Sequence, residues 1–317
     1  MRSSGSNISA PAGLLAIMCL SLFVLGACAR QPSTHAGAGA SDDVRIVSLS
    51  PAAADIVRAL GLSDEIVGRN SADAWTHSDV PTCGELGRID YEALLAAKPT
   101  IVLVQEPSMP VRLQALAQQH GFRALNLSLL TLDDIRTSAR QIGDALPAAR
   151  RGPARDELRR VEHAMDAAWS TADGIYPGRV LLLASVDPPA ALGPGSFHAQ
   201  IVQRLGGTLI PAKGPPYITL AAEDIVALAP DGIILILPRD PTAPETSEDS
   251  GGRDTTAGDA GRATQAMRSL GTLNVPAIRV GRVALIDDPK AHLPSTAMIT
   301  LAEEIRNVLQ RWNVDGH

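Results

Sequence analysis

The sequence contains an internal repeat, and this repeat restricts the fold more than any other feature. In each half a helical pattern ends in the same Ile-Val and Leu-Gly pairs, and further along a glutamate precedes a proline by seven residues. The repeated positions are Ile56-Val-Arg-Ala-Leu-Gly61 with Ile201-Val-Gln-Arg-Leu-Gly206, and Glu92 and Pro99 with Glu223 and Pro230. Two copies of one unit predict two similar lobes with a ligand cleft between their equivalent sheet edges.

Strand and helix patterns alternate within both halves, which is typical of an α/β fold with parallel sheets. Between the halves, residues 153–172 carry apolar side chains at helical spacing with charged residues between them. The sequence therefore predicts two α/β lobes, each with a mainly parallel sheet flanked by helices, joined by one long interlobe helix.

Individual helix caps and strands can also be predicted. Ser50 and Pro51 have the residue types of a helix N-cap and of the first helical position. Thr219 is predicted to cap a later helix that ends before Pro230. Two strands are predicted near the end of the chain, at 277–280 and 283–286.

The first thirty residues have the plan of a bacterial signal peptide. Arg2 precedes an apolar stretch, 14–25, that is too short to be a comfortable membrane span. The next residues, Leu25-Gly26-Ala27-Cys28, resemble a lipobox, so we expect cleavage before Cys28 and lipid on its sulfur. An ordinary secreted protein with a chance cysteine is the alternative. Residues 29–43 lack large apolar side chains, which is typical of a flexible tether.

These patterns divide the chain into five segments. They are a signal peptide (1–27), a lipidated cysteine and tether (28–43), a first lobe (44–149), the interlobe helix (150–174) and a second lobe (175–313). Within the second lobe, residues 240–261 contain six acids against one arginine and no aliphatic side chain larger than alanine. We expect this part to be a disordered insertion.

Composition and motifs exclude several classes of function. The net charge is −6 and there is no basic run, which disfavours nucleic-acid binding. The three cysteines form no C-x-x-C pair, which excludes a disulfide framework and a structural zinc site. No G-x-S-x-G, H-E-x-x-H, P-loop or G-x-G-x-x-G motif is present, so we expect a binding protein without an intrinsic cofactor or metal, not an enzyme.

Several motifs together resemble the iron and vitamin-B12 periplasmic-binding family. They are Arg45-Ile-Val-Ser-Leu-Ser-Pro-Ala52, the Leu60-Gly61 helix end, Tyr91-Glu-Ala-Leu-Leu-Ala-Ala-Lys-Pro99 with its following strand, Gly193-Pro-Gly-Ser-Phe197 and Gly206-Gly207. Each is weak alone, but their order and spacing match the family from about residue 44 to residue 312.

The resemblance implies a fold, a role and partners. The fold is the class III periplasmic-binding fold, with rigid lobes joined by one long helix. The role is delivery of a metal chelate, a cobalamin, a haem or a ferric siderophore, to an ABC importer permease. The protein is then an extracytoplasmic monomer anchored by lipid in the cell envelope, on the periplasmic side in a bacterium with two membranes. A lipid-anchored sensor or scavenger without its own permease is the alternative.

In cobalamin importers of this family, one glutamate on each lobe pairs with permease arginines. Glu92 and Glu223 fall on those positions, and two separated carboxylates suit a symmetric permease dimer. Acids in the first turn of a helix also complement its dipole without any partner, which is the alternative explanation for either residue alone.

Loops at the predicted strand ends supply the candidate ligand-binding residues. They are Ser50, Pro51, Trp75, Glu85, Gln105, Phe197 and Tyr217. Aromatic residues make up only 3% of the chain, so those in loops are informative, and their flat faces suit a corrin, porphyrin or aryl chelator. Packing on the lobe surface is the alternative for Trp75 and Tyr217.

The sequence leaves the chelate open. Tyr217, His77 and His198 could each serve as a haem ligand, although none lies in a recognisable motif. Anionic siderophores call for converging arginines, and the cleft loops offer only Arg69 and Arg88. A cobalamin-like or neutral chelate therefore fits the weakly charged lining somewhat better.

Overall fold

The computed structural model describes residues 43–85, 87–242 and 257–314. The predicted signal peptide (1–27), the lipidated Cys28 and all of the predicted tether except residue 43 lie outside the described residues. So does most of the predicted insertion. Within the described ranges, no helix is both long enough and apolar enough to span a membrane.

Twelve strands and ten α-helices are formed by the described residues. The strands are β1 (Ile46–Ser48), β2 (Ile66–Asn70), β3 (Thr82–Glu85), β4 (Arg88–Ile89), β5 (Ile101–Val104), β6 (Arg123–Asn126), β7 (Arg179–Val186), β8 (Pro189–Leu192), β9 (Thr208–Ile210), β10 (Tyr217–Thr219), β11 (Gly232–Ile236) and β12 (Val283–Ile286). The helices are α1 (Pro51–Ala59), α2 (Tyr91–Ala96), α3 (Val111–His120), α4 (Leu132–Ala145), α5 (Ala148–Trp169), α6 (Phe197–Arg204), α7 (Ala222–Leu228), α8 (Ala257–Gly271), α9 (Pro276–Arg279) and α10 (Met298–Val314).

The strands form two separate sheets, one in each lobe. The first has the order β4-β3-β2-β1-β5-β6, and all its pairs are parallel except β3 with β4. The second has the order β10-β8-β7-β11-β12, with β9 paired to the first half of β7. In this sheet β8 is antiparallel to both of its neighbours. The predicted fold class is confirmed, with α5 as the one long helix between the two sheets.

The sequence repeat corresponds to a structural repeat. In each sheet the first strand of the lobe pairs in parallel with the strand that follows the repeated proline, β1 with β5 and β7 with β11. The helices α1 and α6 both end at a glycine with positive φ, Gly61 and Gly206. The residues before the two prolines, Lys98 and Ala229, are the only described non-glycine residues with positive φ. A residue before proline is disfavoured in the right-handed helical region, so both short helices end at the same point.

The interlobe helix packs into a core that extends through both lobes. It runs from Ala148 to Trp169. Both its first and its last residue lie earlier in the sequence than predicted, and Pro153 lies inside the helix. Its buried Met165 belongs to one continuous apolar cluster that also contains Ile135 of α4, Val202 of α6 and Ile305 of α10. One apolar cluster therefore extends through both lobes, and each lobe has a further cluster of its own.

Two local predictions about strands and helix caps are wrong. Residues 277–279 belong to helix α9, with Val280 as its C-cap, and do not form a strand, because Pro276 fits the first helical position. Thr219 lies in strand β10, and the N-cap of α7 is Ala221, whose backbone N–H donates to the Asp224 carboxylate.

The predicted disordered insertion, 240–261, also extends too far at its C-terminal end. Helix α8 begins at Ala257, four residues before the predicted insertion ends at 261. This helix contacts the second-lobe core through Ala266 and Leu270. Its other residues are largely polar or glycine, so no apolar stripe marks it in the sequence.

Candidate functional site

Polar side chains tie together the carboxyl ends of the first-lobe strands. Ser50 caps α1 by accepting a hydrogen bond from the Ala53 N–H, and its hydroxyl donates to Gln105 Oε1 at 2.7 Å. Asn70, at the end of β2, donates from Nδ2 to the Leu49 carbonyl at 3.0 Å. The structure thus brings the predicted residues Ser50 and Gln105 into contact, at the sheet edge where ligands bind in folds of this type.

A further side-chain amide lies at the end of β6, the outermost strand of this sheet, and the sequence analysis did not predict it. Asn126, at the end of β6, donates to the Glu106 carbonyl and accepts from the Glu106 N–H, at 2.9 and 3.0 Å. Asn70 and Asn126 are each the last residue of their strand, and this position in the sequence is the signal that could have found them.

The loop after β2 is fixed by a buried aspartate. Asp73 is fully buried and accepts hydrogen bonds from the Thr76 hydroxyl at 2.6 Å and from Arg58 Nη1 at 3.2 Å. The backbone N–H of Trp75 also donates to this carboxylate. The indole is half-buried, and the Lys290 ammonium lies 5.2 Å from the centre of its ring. One face of Trp75 is therefore covered by a residue of the second lobe.

Two other residues of this lobe lie apart from that network. Glu85, at the end of β3, is exposed and forms an ion pair with Arg88 at 3.0 Å. His77 is exposed and contacts Asp79. Neither the Glu85 carboxylate nor the His77 imidazole forms a hydrogen bond with Ser50, Gln105 or another predicted ligand residue.

In the second lobe a close approach of two loops positions the turn before α6. A Cβ atom at Gly193 would lie 2.1 Å from the Pro215 carbonyl oxygen, so only glycine fits there. Ser196 caps α6 by accepting from the Ala199 N–H at 3.1 Å. Phe197 is half-buried and lies against the ring of His198, with 4.2 Å between ring centres. Tyr217 lies on the edge strand β10 and is 57% exposed.

His198 is a buried neutral base. Its Nε2 atom lies 2.9 Å from the Ala291 carbonyl, which can only accept, so Nε2 carries the proton and donates to this carbonyl. His292 Nδ1 lies 3.0 Å from the same nitrogen. The buried Nδ1 atom of His198 has no partner among the described residues. Burial and the neighbouring His292 lower the pKa of His198 to about 3, against a smaller raising effect of the Ala291 carbonyl. The imidazole is therefore uncharged at neutral pH.

The lobes meet at Asp55, a residue the sequence analysis did not single out. Its carboxylate accepts hydrogen bonds from Lys290 Nζ at 2.7 Å, from the Ser295 hydroxyl at 2.8 Å and from the Thr296 hydroxyl at 2.7 Å. Asp55 lies on α1 and its three partners lie between β12 and α10. An acid inside the otherwise apolar pattern Ala52-Ala-Ala-Asp-Ile-Val57 is the sequence signal for this buried charge.

The pKa of Asp55 is set by opposing effects. Burial alone raises it, but the hydrogen bond and charge of Lys290, with the hydroxyls of Thr296 and Ser295, outweigh burial and lower the pKa below its usual value. The carboxylate is therefore ionised at neutral pH and forms a charged bridge between the lobes.

The described parts of the chain hold no cluster of metal-ligating side chains, and the thiol of Cys83 is buried. No group of three or more histidine, cysteine, aspartate or glutamate side chains there is arranged to hold a metal ion. Cys83 is buried against Gly68 on the first sheet. Burial, with the nearby Asp90, raises the pKa of its thiol to about 11, which makes it a packing residue.

The two predicted docking residues occupy equivalent, exposed places. Glu92 lies in the first turn of α2, which is capped by Asp90, and Glu223 lies in the first turn of α7. Neither carboxylate forms an ion pair with another described residue. Both positions are therefore free to contact another protein.

Comparisons with known proteins agree with this architecture. A family model described as "Periplasmic binding protein" matches residues 46–289, which include both sheets. The vitamin B12-binding protein of Vibrio cholerae is 28% identical over 199 residues, covering 60% of this chain and 69% of that protein. YvrC, an uncharacterized ABC transporter substrate-binding lipoprotein of Bacillus subtilis, is 26% identical over 203 residues. That match covers 60% of this chain and 62% of YvrC, less than two thirds of its length.

A solved structure matches over a longer range. The crystal structure of the periplasmic haem-binding protein HutB of Vibrio cholerae superposes with a TM-score of 0.62 and 20% identity. The superposition covers 84% of this chain and 99% of that chain. At this level of identity the similarity shows the fold.

Proposed function

Because this chain belongs to the periplasmic binding protein family, we propose that it is an extracytoplasmic substrate-binding protein that delivers a metal chelate to the permease of an ABC importer. The chelate is a cobalamin, a haem or a ferric siderophore. The protein binds one molecule in the cleft between its lobes and acts as a monomer.

The family match confirms the resemblance drawn from the sequence. It also confirms the expectation of a binding protein rather than an enzyme, because the matched family and the relatives reported above are binding proteins.

The observation that carries the proposal is the match of one family model across both lobes. The hydrogen bond between Ser50 and Gln105 at the sheet edge supports it, because it places two predicted ligand residues side by side. The relatives named for vitamin B12 and for haem support a chelate as the ligand. Trp75, Phe197 and Tyr217 offer aromatic surface to such a molecule, and Pro51 and Glu85 complete the proposed set.

The ligand is tested with the purified chain from residue 29 onward, mixed with cobalamin, hemin or ferric siderophores. We expect a complex of one chelate per protein in native mass spectrometry and a change in the visible spectrum of that chelate. Alanine at Gln105 should weaken binding, whereas alanine at the exposed Gln118 on α3 serves as the control. If none of the three classes binds, the importer proposal is wrong.

Glu92 and Glu223 are the proposed docking points on the permease. Their exposure in equivalent first turns, and their lack of ion-pair partners among the described residues, support this role. Changing both to arginine should abolish uptake of the chelate while its affinity for the purified protein stays the same. The exposed Glu303→Arg on α10 is the control and should leave uptake unchanged. A loss of affinity in the double variant would instead place these residues in the ligand site.

Lipid on Cys28 is the proposed membrane anchor. The lipobox-like sequence before it supports this role, as does the description of YvrC as a lipoprotein. Cells grown with a labelled fatty acid should label the chain, and Cys28→Ser should remove the label and release the protein from the membrane fraction. Labelling that survives this change would contradict the proposal.

A further inference from the structure

Two arginines occupy the same place in the two repeated halves. Arg45 comes directly before β1, the first strand of the first lobe, and Arg179 is the first residue of β7, the first strand of the second lobe. The Arg45 side chain donates to the carbonyls of Ala97 and Lys98, at 2.8 and 3.1 Å. These carbonyls belong to the end of α2, at the two residues directly before the repeated proline.

Arg179 makes the equivalent contacts in the second lobe. Its side chain donates to the carbonyls of Leu228 and Ala229, at 3.2 and 2.6 Å. These two residues end α7 and again lie directly before the repeated proline. Each arginine therefore holds the C-terminal end of the short helix of its own lobe.

The match between the lobes extends to the residue after each proline. The backbone N–H of Arg45 donates to the Thr100 hydroxyl at 2.9 Å, and that of Arg179 donates to the Asp231 carboxylate at 3.0 Å. The N–H groups of Thr100 and Asp231 donate back to the two arginine carbonyls, at 2.8 and 2.9 Å. The same hydrogen-bond arrangement is thus present in both lobes.

The two helices held in this way carry the proposed docking glutamates, Glu92 and Glu223, in their first turns. α2 has six residues and α7 has seven, and each buries only one side chain, Leu94 or Ile225. Helices this short are not stable by themselves in water, so their placement depends on contacts with the rest of the protein. The last carbonyls of a helix have no partner within it, and an arginine that donates to them fixes that end.

We propose that Arg45 and Arg179 are positioning residues for permease docking, each holding its short helix so that the glutamate at the other end stays in a fixed place on its lobe. This proposal rests on the docking role of Glu92 and Glu223. A contact that is fixed in advance loses little conformational freedom on binding, so it binds more tightly than a mobile one. Neither arginine belongs to the predicted ligand set, so both should act on docking and not on the affinity for the chelate.

The test is uptake by spheroplasts that lack the gene for this protein. The probe is cyanocobalamin, hemin or ferrichrome, whichever the purified chain binds. The chain from residue 29 onward is added at rising concentrations, which gives a half-saturating concentration and a maximal rate of uptake.

Arg45→Lys and Arg179→Lys keep the charge but lack the planar group that reaches both carbonyls. We expect the half-saturating concentration to rise about threefold in either single variant and at least tenfold in the double variant. The maximal rate, and the affinity of the purified protein for the chelate, should stay the same.

Arg123→Lys is the matched control. Arg123 also lies at the start of a strand, β6, and donates to the last carbonyl of a helix, that of Ala145 in α4, at 2.8 Å. This helix carries no proposed docking residue, so the half-saturating concentration should not change. An equal rise in Arg123→Lys would show that such arginines act only on general stability, and it would overturn the proposal.

A double-mutant cycle separates positioning from stability. In the Glu92→Gln background Arg45→Lys should cause no further rise, because its effect passes through Glu92, whereas in the Glu223→Gln background the threefold rise should persist. Equal effects in both backgrounds would overturn the proposal. If Arg45→Lys fails to fold, the exposed Arg179→Lys gives the same cycle with the two glutamates exchanged.

Failure of this proposal and failure of the docking role give different results. If the wild-type chain supports uptake and neither arginine variant changes the half-saturating concentration, only the positioning role is wrong. If the wild-type chain supports no uptake, the docking role is wrong and the positioning role is wrong with it.

Discussion

Removing the Asp55 carboxylate should destabilise the protein more than any other single ion-pair change between the lobes. In Asp55→Ala, three hydrogen bonds to a charged group are lost and Lys290 is left without its partner. Breaking a buried pair costs about 3–5 kcal/mol. Asp55 is 5% exposed, but the Lys290 side chain is 29% exposed and regains some hydration. We therefore expect a loss near the lower limit, about 3 kcal/mol of the free energy of unfolding.

The assay is urea denaturation followed by circular dichroism, with calorimetry as the second measurement. A loss of about 3 kcal/mol corresponds to a fall in melting temperature of about 5–6 °C for a chain of this size. Asp133→Ala is the control, because Asp133 also joins the lobes, through Arg204 at 2.7 Å, but is 72% exposed. It should cost about 1 kcal/mol or less. If both variants lose the same stability, the reasoning from burial is wrong.

Protonation of Asp55 should also lower the stability of the protein at acid pH. The folded-state pKa of Asp55 is lowered, so its contribution is complete above the unfolded value of about 3.9 and is lost as the pH falls further. Below about pH 4, wild-type stability should therefore fall more steeply than that of Asp55→Asn. Parallel pH profiles of the two proteins would contradict this assignment.

Three further predictions concern single side chains. Gly193→Ala should lose about 2 kcal/mol of stability by overpacking against Pro215, whereas Gly152→Ala, which meets no atom within 4 Å, should be neutral or stabilising in urea denaturation. His198 stays neutral in the folded protein, so below pH 6.5 the unfolded chain binds more protons than the folded one. The free energy of unfolding of the wild type should therefore fall by about 2 kcal/mol between pH 6.5 and pH 5, and His198→Gln should lack this fall. The Cys83 thiol should react with a thiol reagent at pH 8 only after denaturant is added, and rapid labelling of the folded protein would contradict its burial.

Local sequence patterns predicted the elements that depend on near neighbours. Ser50 caps α1 and Asp90 caps α2 because their side chains reach amides within three residues. The prolines at 99 and 230 end helices for an equally local reason. The short strands β8, β9 and β10 were missed. β9 and β10 pair with strands that are not their neighbours in sequence, whereas β8 forms a hairpin with β7 and alternates too few residues to give a strand pattern.

The candidate site was predicted less completely than the fold. The contact between Ser50 and Gln105 could be expected only as two strand ends at one sheet edge. The contacts of Asp55 with Lys290, Ser295 and Thr296 join residues more than 230 positions apart, and no local pattern indicates such a pair.

The core that runs through α5 into both lobes has a consequence for the two repeated halves. A duplicated unit could in principle keep its autonomy, so that either copy folds alone. Here the faces of α4 and α6 that meet around Met165 would be exposed to water if the chain were divided. We therefore expect that neither half is stable as a free-standing domain. The repeat is visible in the sequence, but we expect the two lobes to fold only together, as a single cooperative unit.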